Sequence, residues 1–162
     1  METKDLLKGK KILIVDDEPD VLDTLQDLLN MCDIVTASTF DEAKAALETQ
    51  SFDIAILDIM GVNGYALLDV AKQRNVTPVM LTAHALSPEH TIKSYKRGAA
   101  LYVPKDKIAD ITYYLEDVLD AISRNKSTWS RWLERFATFY DKKFENDPQW
   151  KDTEFWKSFP YA

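Results

Sequence analysis

Five short apolar runs, each followed by a stretch with helical spacing, constrain this chain more than any other feature. The runs are Lys11-Ile12-Leu13-Ile14-Val15, Ile34-Val35-Thr36-Ala37, Phe52 to Leu57, Val76 to Leu81 and Ala99 to Val103. Apolar runs of this length, bounded by turn residues, read as strands buried on both faces. Between them, apolar residues recur at helical spacing. Val21, Leu22, Leu25, Leu28 and Leu29 follow Pro19, which suits a first helical turn. Ala43, Ala46 and Leu47 follow Ser38-Thr39, with Glu42 placed for a capping box. Tyr65, Leu67, Leu68, Val70 and Ala71 follow the loop marked by Gly61 and Gly64. Ser87-Pro88 opens a further helix, with Ser87 as its cap, and Gly98 closes it. The last helix is predicted from about Ile108 to Arg124, with Ile111, Tyr114, Leu115, Val118, Leu119 and Ile122 on one side. Five βα units of this kind predict an α/β fold: a doubly wound parallel sheet with helices on both faces.

Such sheets collect ligands at the carboxyl ends of their strands. Asp16-Asp17, Asp58, Thr82 and Lys105 stand there, at the ends of the first, third, fourth and fifth strands. An acidic pair, a lone Asp, a hydroxyl and a Lys at one sheet edge can take up a phosphoryl group with a divalent metal. For Asp58 to attack phosphorus, positive charge must stand between two anions. Mg²⁺ does this with oxygen ligands. Asp17 and Asp58 supply carboxylates, the backbone carbonyl of Met60 a third oxygen, and Asp16 binds or orients a water. Lys105 serves as a point charge on the phosphoryl oxygens, and Thr82 donates its hydroxyl. Taken singly, Asp16-Asp17 would suit a helix start, Thr82 a turn and Lys105 a solvated charge; their joint placement is the signal. Asp53 begins its strand at the opposite edge and Asp69 sits inside a helix. Glu18 is read as a solvated helix start and His90 as solvated helix surface.

Acidic residues number 27 against 20 basic, a net charge of −7, which argues against binding nucleic acid through its phosphates. The one cysteine, Cys32, excludes an internal disulfide and reads as a small apolar residue. The first ten residues lack a signal-peptide pattern, and no stretch reaches the roughly 18 apolar residues of a membrane span. A cytoplasmic location is expected.

Lys11-Ile-Leu-Ile-Val-Asp-Asp-Glu-Pro, Leu57-Asp58-Ile-Met, Leu81-Thr82-Ala83 and Val103-Pro104-Lys105 resemble the signature segments of the response-regulator receiver domain. The likeness covers roughly Lys10 to Arg124. It implies a flavodoxin-like (βα)5 fold with strand order 2-1-3-4-5; a receiver is itself a reference example of that order. It also implies that Asp58 is the phosphoacceptor, loaded by a sensor histidine kinase or phosphotransfer protein, and that Asp16, Asp17, Asp58 and the Met60 carbonyl form the Mg²⁺ pocket. Thr82 and Tyr102 become a switch pair: Thr82 moves toward the phosphoryl group and Tyr102 turns inward. The plainer alternative for Tyr102 is a half-buried aromatic on an edge strand. Lys105 contacts phosphate, and His84 occupies a position that tunes dephosphorylation by controlling water access, although as a lone histidine it reads as a loop side chain and not a catalytic base. The segment Asp58-Ile-Met-Gly61-Val-Asn-Gly64 departs from the family: it is shorter than usual and lacks a Pro. Gly61 and Asn63-Gly64 are expected to make its tight turn through positive φ.

The chain is read as an N-terminal tail (1–9), a receiver (10–125) and an aromatic extension (126–162) holding all four tryptophans, Trp129, Trp132, Trp150 and Trp156. Trp129, Trp132, Phe136, Phe139, Tyr140 and Phe144 keep helical spacing, so a helical extension is expected. Its charges are nearly balanced and it is shorter than a DNA-binding output domain of about 60 to 100 residues. No DNA or membrane partner is therefore expected. Its aromatic stripe would pack on the receiver, on a second copy or on a downstream protein. The 88–105 face and the extension are the two candidate surfaces for a homodimer. The protein is read as a signalling protein and not an enzyme, apart from self-catalysed phosphotransfer and autodephosphorylation. The alternative is a pseudo-receiver acting as an interaction scaffold. A haloacid-dehalogenase-like phosphatase would need a second Asp where Met60 stands, and the Asp16-Asp17-Glu18 loop would repel a flavin phosphate.

Overall fold

The structure, a computed structural model, describes residues 4–83 and 88–129. A short helix α1 (Lys4–Leu7) precedes β1 (Lys11–Val15), α2 (Pro19–Leu28), β2 (Asp33–Ala37), α3 (Phe40–Thr49), β3 (Ile54–Asp58), α4 (Gly64–Gln73), β4 (Thr77–Thr82), α5 (Pro88–Lys96) and β5 (Leu101–Pro104). A 3-10 segment (Lys105–Asp110) then leads into α6 (Ile111–Ser123). The strands form one sheet in the order β2-β1-β3-β4-β5, and every pairing is parallel. This is the flavodoxin-like arrangement.

Burial follows the apolar runs. Every residue of the central strand β3 is buried, as are Val79 to Leu81 of β4 and Leu101 to Val103 of β5. Only β2, at an edge, is largely half-exposed. Asp53 bonds the Lys11 backbone N–H at the amino-terminal edge, away from the strand ends that carry Asp16 and Asp58.

Helix ends have identifiable causes. Thr39 caps α3, its hydroxyl accepting the Glu42 N–H at 3.2 Å. The reciprocal half of the capping box is altered, because the Glu42 carboxylate accepts from Ser38 Oγ at 3.4 Å. Helices α4, α5 and α6 all end in the same paired-bond turn. Val76, Ala99 and Lys126 donate to the carbonyls of Ala71, Ser94 and Ala121, while Asn75, Gly98 and Asn125 hold positive φ.

Two expectations about the last helix are corrected. Residues 108–110 belong to the 3-10 segment, so α6 proper starts at Ile111. Ile122 is exposed; Ala121 takes the inward place one residue earlier, beside buried Ile111, Tyr114, Leu115 and Val118. The expected Ser87 cap and the aromatic run from Trp132 onward lie outside the described residues. No helix among the described residues is long and apolar enough to cross a membrane.

Candidate functional site

The parallel sheet delivers the side chains. Strands β1 and β3 are neighbours in register, Val15 opposite Leu57, so Asp16 and Asp58 leave the same edge side by side. Strand β4 pairs on the other side of β3, with Asp58 opposite Leu81 and Thr82 one step further. Thr82 in turn lies opposite Pro104 of β5, which hands the chain to Lys105.

Asp16 is fully buried, and Asp58 and Thr82 are each 4 % exposed. Lys105 reaches into the same place with a side chain only 9 % exposed. Its Nζ lies 2.7 Å from Asp16 Oδ2, 3.3 Å from Glu18 Oε1 and 3.5 Å from Asp58 Oδ1. The other oxygen of Asp16 accepts the Glu18 N–H at 2.9 Å. The other oxygen of Asp58 accepts the Gly61 N–H at 3.1 Å. One ammonium thus serves three carboxylates.

Burial pushes the Asp58 carboxyl above its ordinary range, and the nearby negative charge of Asp16 adds to this; Lys105 and the Gly61 N–H pull the other way without cancelling it. The Asp16 carboxyl is raised for the same first reason, burial, against the opposing hydrogen bond from Lys105. For Lys105, burial alone would depress the ammonium, but the bond and charge of Asp16 and the charge of Asp58 outweigh it and raise the group. The cluster carries more negative charge than it can neutralise.

That excess suits a cation. One carboxylate oxygen each from Asp16, Asp17 and Glu18 fall within 4.8 Å of one another. A Cβ on Gly61 would collide with Asp17 Oδ1 and with Asp58 Oδ2, so these two carboxylates converge on one bare backbone position. An all-oxygen donor set is the type that hard divalent ions take. The chemistry of the residues fits Mg²⁺. Met60 follows in the same loop and is 71 % exposed.

The loop after Asp58 closes as expected at Asn63 and differently at the two glycines. Asn63 alone takes positive φ, at 56°, and the Gly64 N–H bonds the Ile59 carbonyl at 3.0 Å. Gly61 and Gly64 are required for close approach instead. A Cβ on Gly64 would strike the Asp58 carbonyl oxygen and lie 2.9 Å from Ile59 Cα.

Tyr102 sits on the edge strand β5 yet is fully buried, not half-buried. His84 lies outside the described residues. The Glu18 side chain is 56 % exposed at the start of α2, as read, and also pairs with Lys105, whereas His90, read as solvated helix surface, is half-buried. Glu18 shares Lys105 with Asp16, and His90 stacks on Tyr65 with ring centroids 5.8 Å apart while its Nδ1 lies 2.9 Å from the Tyr65 hydroxyl. Glu18 follows the acidic pair directly, and that adjacency was the available signal. Nothing local in the sequence pairs positions 65 and 90.

The sequence profile of the response regulator receiver domain matches residues 12–116. Among curated proteins, the chain is 31% identical over 133 residues to the two-component response regulator ARR10 of Arabidopsis thaliana, covering 75% of this chain and 24% of that protein. It is 32% identical over 120 residues to the heme response regulator HssR of Staphylococcus saprophyticus, covering 70% of this chain and 53% of the relative. The chain therefore spans between about a quarter and about half of the length of these relatives. A CheY-like response regulator receiver domain protein from Methanospirillum hungatei superposes with a TM-score of 0.65 at 29% identity, over 73% of this chain and 99% of that one. A response regulator protein from Burkholderia pseudomallei, solved with a phosphorylated aspartic acid, calcium ion and citrate, superposes with a TM-score of 0.54 at 25% identity, over 60% of each chain.

Proposed function

The chain belongs to the response regulator receiver domain family, and from that premise we propose that Asp58 accepts a phosphoryl group from the phosphohistidine of a sensor kinase or phosphotransfer protein. The observation that carries this reading is the convergence on one buried carboxylate of an ammonium at 3.5 Å, a backbone N–H at 3.1 Å and a second acidic strand end. An Asp58 oxygen attacks phosphorus, an O–P bond forms, the P–N bond of the donor breaks, and the imidazole leaves. Little covalent chemistry is left to the protein, so placement and charge dominate.

Asp16, Asp17, Asp58 and the Met60 carbonyl hold Mg²⁺, which when bound supplies the positive charge that lets one anion approach another. The Burkholderia relative, solved with both a phosphorylated aspartate and a divalent ion, supports this pairing. Lys105 turns from Asp16 and Glu18 toward the incoming phosphoryl oxygens as a mobile point charge. Thr82, one register step beyond the partner of Asp58, donates its hydroxyl there. Thr82 and Tyr102 form the switch pair, and His84 tunes water access. Within this chain, output runs through protein contacts.

Incubation with a small phosphodonor and Mg²⁺, read by intact mass, tests the reading. Wild type gains one phosphoryl group and Asp58→Asn gains none. Modification of both proteins rejects Asp58 as the acceptor, and modification of neither by the donor or by a phosphohistidine protein favours a scaffold.

A further inference from the structure

Residue Trp129 belongs to the extension, yet it is 4 % exposed and part of the main core. Asn125, at φ 55°, ends α6 and turns the chain, with Lys126 N–H bonded back to the Ala121 carbonyl at 2.7 Å. Four residues later the Trp129 indole N–H donates to the Ala99 carbonyl at 2.7 Å. The ring stands edge-on to Tyr95 of α5, centroids 5.4 Å apart and planes at 88°. An edge-to-face pair of this kind adds to the burial of a large ring, and a buried indole needs an acceptor; here it has one.

Ala99 is the residue that ends the α5 turn. Its own N–H donates to the Ser94 carbonyl at 3.0 Å. Ser94 is fully buried, and its hydroxyl lies 3.4 Å from the Tyr65 hydroxyl. Tyr65 directly follows Gly64, where an added Cβ would strike the Asp58 carbonyl, so the backbone there lies close against the acceptor residue. The order Asp58, Gly64, Tyr65, Ser94, Ala99, Trp129 is therefore continuous contact from the acceptor strand to the first turn of the extension. Helix α5 is gripped from both sides, by Tyr65 at the acceptor loop and by Trp129 at the extension.

We propose that the segment around Trp129, which follows α6, is an intramolecular partner of the receiver, seated on Tyr95 and the Ala99 carbonyl, and that this seating is energetically coupled to the chemical state of Asp58 through α5. The proposal rests on the acceptor reading above. Reciprocity makes the coupling measurable: if acceptor occupancy changes the seating of Trp129, removing Trp129 changes the affinity of the acceptor site by the same factor.

Beryllofluoride with Mg²⁺, a phosphoryl mimic, serves as the ligand for the full chain. Its affinity is measured by calorimetry for wild type, Trp129→Ala and Trp129→Phe. The indole N–H resonance lost in Trp129→Phe identifies that ring in the spectrum of wild type. The expected result is a change of at least about fivefold in affinity for Trp129→Ala. A smaller change of the same sign is expected for Trp129→Phe, which keeps a ring and loses the bond to Ala99. The wild-type indole resonance shifts on ligand addition. Trp129→Phe carries the test if Trp129→Ala fails to fold. Equal affinities with an unmoved indole resonance overturn the coupling and leave the acceptor reading intact. Absence of binding to wild type, with no phosphoryl gain by mass, rejects both.

Discussion

Lys105 Nζ is closer to Asp16 Oδ2, at 2.7 Å, than to Asp58 Oδ1, at 3.5 Å. The lysine read as the phosphate contact is bonded to a carboxylate read as part of the metal pocket. The pairing has a physical basis: Asp16 is the most deeply buried of the acidic groups around it, and a buried carboxylate needs a cation. Lys105→Met should therefore destabilise the metal-free protein by about 3 kcal/mol, since it strands buried negative charge. Saturating Mg²⁺ should recover much of the loss. Urea unfolding with chelator and with Mg²⁺ checks both points; an unchanged midpoint in chelator would show that Lys105 neutralises nothing.

The direction of the Asp58 shift sets a pH dependence. Its folded value stands above the ordinary carboxylate value of 3.8, chiefly through burial and then through the charge of Asp16. The folded state therefore holds its proton more tightly than the unfolded chain. Stability from this group is greatest at low pH and is lost as pH rises from the ordinary value through the folded one. Asp16, shifted the same way, adds the same sign. In chelator, the wild-type melting temperature should fall across that window more steeply than that of Asp58→Asn. At neutral pH Asp58→Asn should be the more stable protein. Parallel curves would remove the claim that the acceptor is held at a cost to stability.

Gly61 and Gly64 lead to different outcomes although only three positions separate them. An added Cβ at Gly61 meets the ends of two side chains, Asp17 and Asp58, which can swing apart. Gly61→Ala should fold with a loss of about 1 to 3 kcal/mol, and its Mg²⁺ affinity should fall about tenfold because the carboxylates no longer converge. An added Cβ at Gly64 meets the backbone of Asp58 and Ile59, which cannot swing. Gly64→Ala should be the more destabilised of the two. Mg²⁺ titration and denaturant unfolding separate the cases; equal Mg²⁺ affinity in Gly61→Ala and wild type would contradict the assigned convergence.

The contrast between those glycines also shows what the sequence could convey. The five βα units were legible because burial on both faces of a parallel sheet leaves uninterrupted apolar runs, as in Ile54 to Leu57. Strand order came from the family likeness, since periodicity carries no information on which strands are neighbours. The placement of Asp16, Asp58, Thr82 and Lys105 was legible because a strand end fixes which edge a side chain leaves from. Close approach was not legible: of the three residues read as positive-φ, Asn63 takes it, whereas Gly61 and Gly64 are held by the space their missing side chains leave. Pairing across helices was not legible either. His90 lies on a polar stretch of α5, and only the packing of α5 beside α4 brings it to Tyr65.

That last pairing supports a test of how firmly α5 is joined to the acceptor loop. The Tyr65 hydroxyl lies 2.9 Å from His90 Nδ1, 3.3 Å from the His90 carbonyl oxygen and 3.4 Å from Ser94 Oγ. Its ring lies under Lys93, whose Nζ is 4.2 Å from the centroid, and near Arg97, which itself pairs with Asp69 of α4. Tyr65→Phe keeps the ring, its stacking and its cation contacts, and removes only the hydroxyl bonds. The expected cost is about 1 to 2 kcal/mol, because buried Ser94 loses a neighbour that only the hydroxyl provided. Tyr65→Ala removes the ring as well and should cost about 3 to 5 kcal/mol, the range for a buried aromatic truncated in a core. Amide hydrogen exchange locates the effect: protection in α5 should fall more than in β1 or β3, since α5 is fastened at this point and the central strands are not. Uniform loss of protection across the sheet and α5 would mean that Tyr65 supports the whole core and does not join these two elements in particular.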